Sequence, residues 1–236
     1  MRDESIDDAL ARAAGASPGV DPALLDRIAG SIGGGLKPVR PLPPSWVLIA
    51  LLAAVCAGIA TAGATILGLH GIGKMGSAEI GVVFPALGLL IWFGASVSTA
   101  EMIPGSPHRA APWLLTLAGS LVLVLIFGLL FHDYRTDDFV HQGMKCLITG
   151  LLHAAPTALA GWFVLHRGVA VNPIAAGFAL GTLAGFAGVT MLELHCPNFE
   201  APHVMLWHTA VLPLAGVAGA LCGWAGRRKS AHYNQS

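Results

Sequence analysis

The sequence predicts an all-α, polytopic membrane protein of six transmembrane helices behind a short, partly helical N-terminal segment, and three observations carry that prediction. The 236 residues are 55% hydrophobic and only 11% charged, against about 25% charged in an ordinary soluble domain. Six apolar runs, near 46–69, 80–100, 111–131, 146–165, 174–194 and 204–225, approach or exceed the roughly 20 residues with which an α-helix crosses a bilayer. No Asp, Lys or Arg falls in the middle of any run.

The chain divides into residues 1–44, a cytoplasmic segment suited to binding a partner, residues 45–226, the transmembrane domain, and a tail at 227–236. The polar stretch before Trp46 has no basic start with a short apolar core, so it does not read as a cleavable signal peptide. Within it, "DPALLDRIAGSI" predicts a short helix: Asp21 caps it, Pro22 occupies the first turn, and Leu24, Leu25, Ile28 and Ile32 share one face. A weaker helical piece runs from Asp3 to Ala13, and "KPVRPLPP" makes a stiff, extended spacer into the first span. Helices this short are marginal alone in water. An apolar face that orders in a partner's groove is the functional reading of this segment, and a frayed tail the bland one.

Basic residues orient the spans, because loops rich in Lys and Arg stay on the cytoplasmic side. With the N terminus inside, Arg2, Arg12, Arg27, Lys37, Arg40, Arg109, Arg167, Arg227, Arg228 and Lys229 are all cytoplasmic, ten of the thirteen Lys and Arg. Lys74, Arg135 and Lys145 remain outside. Trp46, Trp113, Trp162 and Trp224 then gather at the inner interface, and both termini are cytoplasmic. The spans pair into three hairpins. Gly177, Gly181 and Gly185 in the fifth span, and Gly216, Gly219, Gly223 and Gly226 in the sixth, are spaced to let helix backbones approach closely. Pro85, Pro156 and Pro213 lie within spans as candidate kinks.

Ionisable side chains at membrane depth mark proton and ion pathways. Here Glu79, Glu101 and Glu193 sit at span ends, which disfavours a proton-coupled transporter. Nucleotide-binding and nucleophile-elbow motifs are missing as well, so the sequence points away from an enzyme and from a resident cofactor.

Chemistry concentrates at the outer face. His70, His132, His141, His153, His195, His203 and His208 fall at or near it, with Cys146 at the start of the fourth span and Cys196 after the fifth. Cys56 and Cys222, inside spans, read as small apolar side chains. Two readings of the outer pair stand open: a disulfide between Cys146 and Cys196, as an oxidising periplasm permits, or a soft or divalent metal ion held by Cys146, Cys196 and some of His195, His203 and His208. His153 and His208 are weaker candidates as haem ligands.

Four stretches, "LKPVRPLPPSW", "GMKCL", "WFVLHRGVAVNPIAAG" and "LHCPNFEAPHVMLWH", together resemble the NrsF family, six-helix anti-sigma factors of the bacterial inner membrane. The resemblance implies that the N-terminal segment sequesters an extracytoplasmic-function sigma factor, with no direct contact to nucleic acid and with lipid around the spans. It implies further that two periplasmic cysteines, here Cys146 and Cys196, sense stress from heavy metals or oxidants. The extra histidines near Cys196 and the two cysteines within spans depart from the simplest form of that pattern. A metal-binding or metal-transporting protein facing the periplasm is the competing expectation.

Overall fold

The computed structural model describes residues 15, 21–35, 42–106, 111–136 and 138–233, which are helical or loop with no strand among them. The helical piece expected over Asp3–Ala13, most of the proline-rich spacer and Arg109 lie outside the described residues. Two compact units are present, Met1–Pro41 and Leu42–Ser236.

The first unit contains α1 (Pro22–Gly35). It begins where the capping chemistry places it: the Asp21 carboxylate accepts from Ala23 N at 2.9 Å, and the Asp21 carbonyl accepts from Leu24 N and Leu25 N. The apolar residues Leu24, Leu25 and Ile28 are all exposed. Ile32 continues the same run in sequence, but its side chain lies outside the described atoms.

The second unit holds six helices long and apolar enough to cross a membrane. They are α2 (Ser45–Leu67), α3 (Ser77–Glu101), α4 (Pro112–Leu130), α5 (Phe139–Leu165), α6 (Pro173–His195) and a last span, Ala201–Arg227. That last span is made of a first turn Ala201–His203, a π-helical turn Val204–His208, and α7 (Thr209–Tyr233). Proline opens α4 and α6 at the one position where its missing N–H costs nothing. The Asn172 side chain caps α6 by accepting from Ala175 N at 3.2 Å.

One boundary moves substantially. Hydropathy starts the fourth span at residue 146, whereas α5 starts seven residues earlier, at Phe139. Residues 139–145 are too polar to register as membrane-spanning, yet their first turns pack on the last span: the Phe139 and Trp207 rings lie 5.6 Å apart, and Gly143 leaves the space that the Trp207 indole fills. Cys146 therefore stands two turns inside α5 rather than at its start.

Helix α6 is the axis of the bundle. An 18-residue stretch of it is 67% buried, against 22% to 39% for the other five spans, which pack around it. Small residues make this possible on the side facing the last span. A Cβ at Gly177 would collide with the Gly219 carbonyl, and one at Gly219 with the Gly177 carbonyl, so the two backbones meet directly. On the side facing α5, Gly188 meets the Gly150 carbonyl in the same way. Larger side chains fill the remaining interior, with Leu52, Leu87, Leu123, Phe127, Phe186 and Leu212 fully buried. Between α4 and α6 the Thr116 and Thr182 hydroxyls pair at 2.7 Å, which satisfies two polar atoms with no water to serve them. Leu89, Phe93, Leu125, Leu129 and Leu152 point outward, over the surface that lipid covers in a membrane.

Because the group opposite Gly219 is a backbone carbonyl and not the tip of a flexible side chain, overpacking there has no cheap relief. Gly219→Leu is expected to destabilise the bundle by about 3 kcal/mol. Thermal unfolding of the detergent-purified protein, followed by tryptophan fluorescence, reads this directly, and an unchanged melting curve would show that the close approach is dispensable.

Candidate thiol and imidazole site

Among the described residues, a buried polar cluster lies at the end of the bundle opposite Ser45, where the loops at 68–76, 131–136 and 196–200 meet. Cys146 comes from α5. Cys196 comes from the residue that ends α6, its N–H donating to the Leu192 carbonyl at 2.7 Å. The close approach of α5 and α6 at Gly150 and Gly188, about one turn from Cys146 and two from Cys196, brings the two sulfur atoms to 3.3 Å. Both are thiols, Cys196 buried and Cys146 half-buried.

The last span delivers the imidazoles. Its entry is pinned by the Ala201 N–H donating to the Asp133 carbonyl at 2.7 Å and by Phe199 stacking on Phe131 at 5.0 Å. His203 and His208 are five positions apart, which at α-helical spacing would leave them about 140° apart around the axis. The π-helical turn Val204–His208 alters that spacing, because its hydrogen bonds link residues five apart and so set them one above the other. The two rings end 5.3 Å apart, edge to face. His203 Nε2 lies 3.7 Å from Cys196 Sγ. One ligand atom each from Cys146, Cys196, His203 and His208 falls within 4.8 Å of all the others.

Beneath these four lies a carboxylate. Glu193 Oε1 is 2.6 Å from His208 Nδ1, and both side chains are 0% exposed. Three atoms of the cluster, Glu193 Oε2, His203 Nδ1 and His208 Nε2, are buried without a hydrogen-bond partner. Each such atom costs about 1–3 kcal/mol, and native structures accumulate few of them without a functional reason. The hydrogen bond with Cys146 and then burial push the Cys196 thiol above its ordinary value, while the His203 and His208 imidazoles pull the other way. The lid over the site is tied by Asn198 Nδ2 donating to Gln142 Oε1 at 3.0 Å and by Gly71 N–H donating to the Leu194 carbonyl at 3.0 Å.

The histidines singled out in the sequence separate here. His203 and His208 join the thiols, whereas His195, adjacent to Cys196, turns away: its Nδ1 lies 2.8 Å from the Gly68 carbonyl and its ring faces His70 at 5.9 Å. His153, considered with His208 for haem, turns Nδ1 toward the Thr149 carbonyl of its own helix at 2.9 Å and lies over Gly63, while His208 is held by Glu193. Cys56 is buried in the α2 core, and Cys222 is exposed on α7. Glu193 is the residue that sequence reasoning passed over as a polar group at a span end. The signal was present in its spacing, since it lies one helical turn before Cys196 and on the same face.

The donor set is that of a soft or borderline metal, and the sulfur pair is that of a reversible disulfide. Comparison with known proteins points to a regulatory family. The profile of the NrsF family, described as negative regulator of sigma F, matches residues 33–228. The anti-sigma-F factor NrsF of Caulobacter vibrioides is 26% identical over 217 residues, covering 86% of this chain and 95% of that protein. No solved structure matches. With a family match over most of its length and the six-span bundle beneath it, this chain belongs to the NrsF family of negative regulators of sigma F.

Proposed function

We propose that this chain is an inner-membrane anti-sigma factor that holds an extracytoplasmic-function sigma factor through its N-terminal segment and releases it when heavy metal or oxidant acts on Cys146 and Cys196 at the periplasmic face. The observation that carries the reading is the meeting of two free thiols at 3.3 Å, with two buried imidazoles beside them, at the end of the bundle opposite Ser45.

The basic residues of the sequence support the orientation, ten of thirteen falling on the side of the termini. In the N-terminal segment, α1 presents Leu24, Leu25 and Ile28 as exposed apolar groups, the kind of face that an amphipathic helix lays in a partner's groove. A stimulus changes sigma-factor retention only if it favours one arrangement of the bundle over another, and a few kcal/mol of difference suffices. A bond or a metal between Cys146 on α5 and Cys196 at the end of α6 constrains those two helices relative to each other. Oxidation balances simply: each thiol gives up a proton, the pair loses two electrons to the oxidant, and one S–S bond forms.

The test is made on tagged full-length protein solubilised from its host membrane. A sigma factor identified by mass spectrometry is expected to be retained under reducing conditions and to be lost, by at least about tenfold, after cadmium or diamide treatment. Protein that retains no sigma factor sinks the sequestration reading; retention indifferent to both agents sinks the sensory one.

A further inference from the structure

We propose that Cys146, Cys196, His203 and His208 form a four-coordinate site for a divalent d10 cation of the zinc or cadmium type, and that Glu193 is the positioning residue which aims His208 into it. The inference rests on the reading of the cysteine pair as the sensory centre, and it deepens that reading by specifying the ligands, the class of ion and a carboxylate that contacts no metal.

Geometry comes first. Zinc bonds to thiolate and imidazole at about 2.3 and 2.0–2.1 Å in tetrahedral sites, which separates neighbouring donor atoms by roughly 3.5 Å. The sulfurs stand 3.3 Å apart, and Cys196 Sγ stands 3.7 Å from His203 Nε2. All four donors lie within 4.8 Å of one another, so closing them on an ion requires small side-chain movements and no backbone rearrangement.

The second argument is the hydrogen-bond inventory. Nδ1 of His208 is engaged by Glu193 at 2.6 Å, leaving Nε2 as its available donor, fully buried and without a partner. A carboxylate on the far nitrogen of an imidazole fixes the ring's tautomer and orientation, and it is the usual companion of a metal-bound histidine. An ion at the thiols would give the buried His208 Nε2 a partner that no hydrogen bond supplies.

The choice of ion follows from the donors. Two thiolates and two neutral imidazoles match the charge of a dication, and closed tetrahedral S2N2 sets suit zinc and its heavier congener cadmium. His195 lies outside the set because its ring turns away from the thiols, toward His70 and the Gly68 carbonyl. Ligands drawn from α5, from the residue after α6 and from the first turns of the last span, with Glu193 reaching them from α6, join three spans at one point.

The experiment titrates purified, reduced, chelator-treated full-length protein with cobalt(II), then displaces it with zinc or cadmium. One cobalt per chain is expected, with the visible bands and thiolate charge-transfer absorption of a tetrahedral S2N2 centre. His203→Ala and His208→Ala are each expected to weaken binding at least about a hundredfold and to shift those bands. Glu193→Gln is expected to weaken binding by about 10–100-fold while preserving the band positions, the signature of an orienting group rather than a ligand. Should the glutamine variant fail to fold, Glu193→Asp, which keeps the charge but shortens the reach, carries the same expectation. Parental affinity and spectrum in both histidine variants would overturn the four-donor site, and parental affinity in the Glu193 variant would overturn its positioning role. Neither result touches sigma-factor release by the cysteines, which the retention assay reads separately.

Discussion

Replacing Leu25 and Ile28 together by aspartate is expected to abolish retention of the sigma factor while leaving the membrane bundle intact. Both side chains are exposed on α1, so no core contact is lost when they change. Asp21 still caps the helix through its contacts with the N–H groups of Ala23, Leu24 and Leu25. In a groove-bound helix, apolar anchors of this kind are worth about 2 kcal/mol or more apiece. Losing two predicts a weakening of roughly a thousandfold. The measurement is binding of the purified sigma factor to full-length protein in detergent, with circular dichroism and thermal unfolding as controls on the fold. A change below about threefold would place the binding surface elsewhere in the chain, and Ala23→Asp with Arg27→Asp would then separate α1 as a whole from this face of it.

The second large effect concerns the thiols. Cys146→Ser and Cys196→Ser, singly or together, are each expected to eliminate induction of the target promoter by cadmium or diamide while repression in unstressed cells persists. A bridge or a shared metal needs both sulfur atoms, which are 3.3 Å apart, so the single variants should be as inert as the double one. Serine is close in size to cysteine and leaves the packing nearly unchanged, whereas its hydroxyl neither forms a disulfide nor binds a soft ion at neutral pH. Cys222→Ser is the matched control, since that thiol is exposed on α7 and far along the helix from the cluster. Full induction in the double variant would remove the cysteines from signalling and leave sequestration standing. Induction lost for metal but kept for oxidant, with the pair absent, would assign oxidant sensing to another group.

Much of this molecule is legible without coordinates because a bilayer restricts what a chain can do. Six continuous runs of about 20 apolar residues read as helices, since the other arrangement that satisfies the backbone in lipid, a closed barrel, needs shorter strands of alternating polarity. Glycines at four-residue spacing point to close helix contact, and Gly177, Gly181, Gly219 and Gly223 make it. The start of α5 was harder to read. Its first seven residues gain their helical state from packing on Trp207 and not from hydropathy, so a hydrophobic window begins too late.

The cluster shows where sequence reasoning stops. Cys146 and Cys196 are fifty positions apart, and only the common surface at which their spans end suggests that they meet. His195 is the neighbour of Cys196 in sequence yet faces Gly68, while His203 and His208 reach the thiols through a π-helical turn that no α-periodic pattern anticipates. Glu193 looks like a polar residue at a membrane edge until the loops around 71 and 198 close over it. Hydropathy, charge asymmetry and capping chemistry are local properties, and they settle the all-helical class, the six spans and the N-terminal helix. Which imidazoles and which carboxylate surround the thiols is a matter of helix phase and of contact between segments far apart in the chain, and those are settled only when the spans pack on α6.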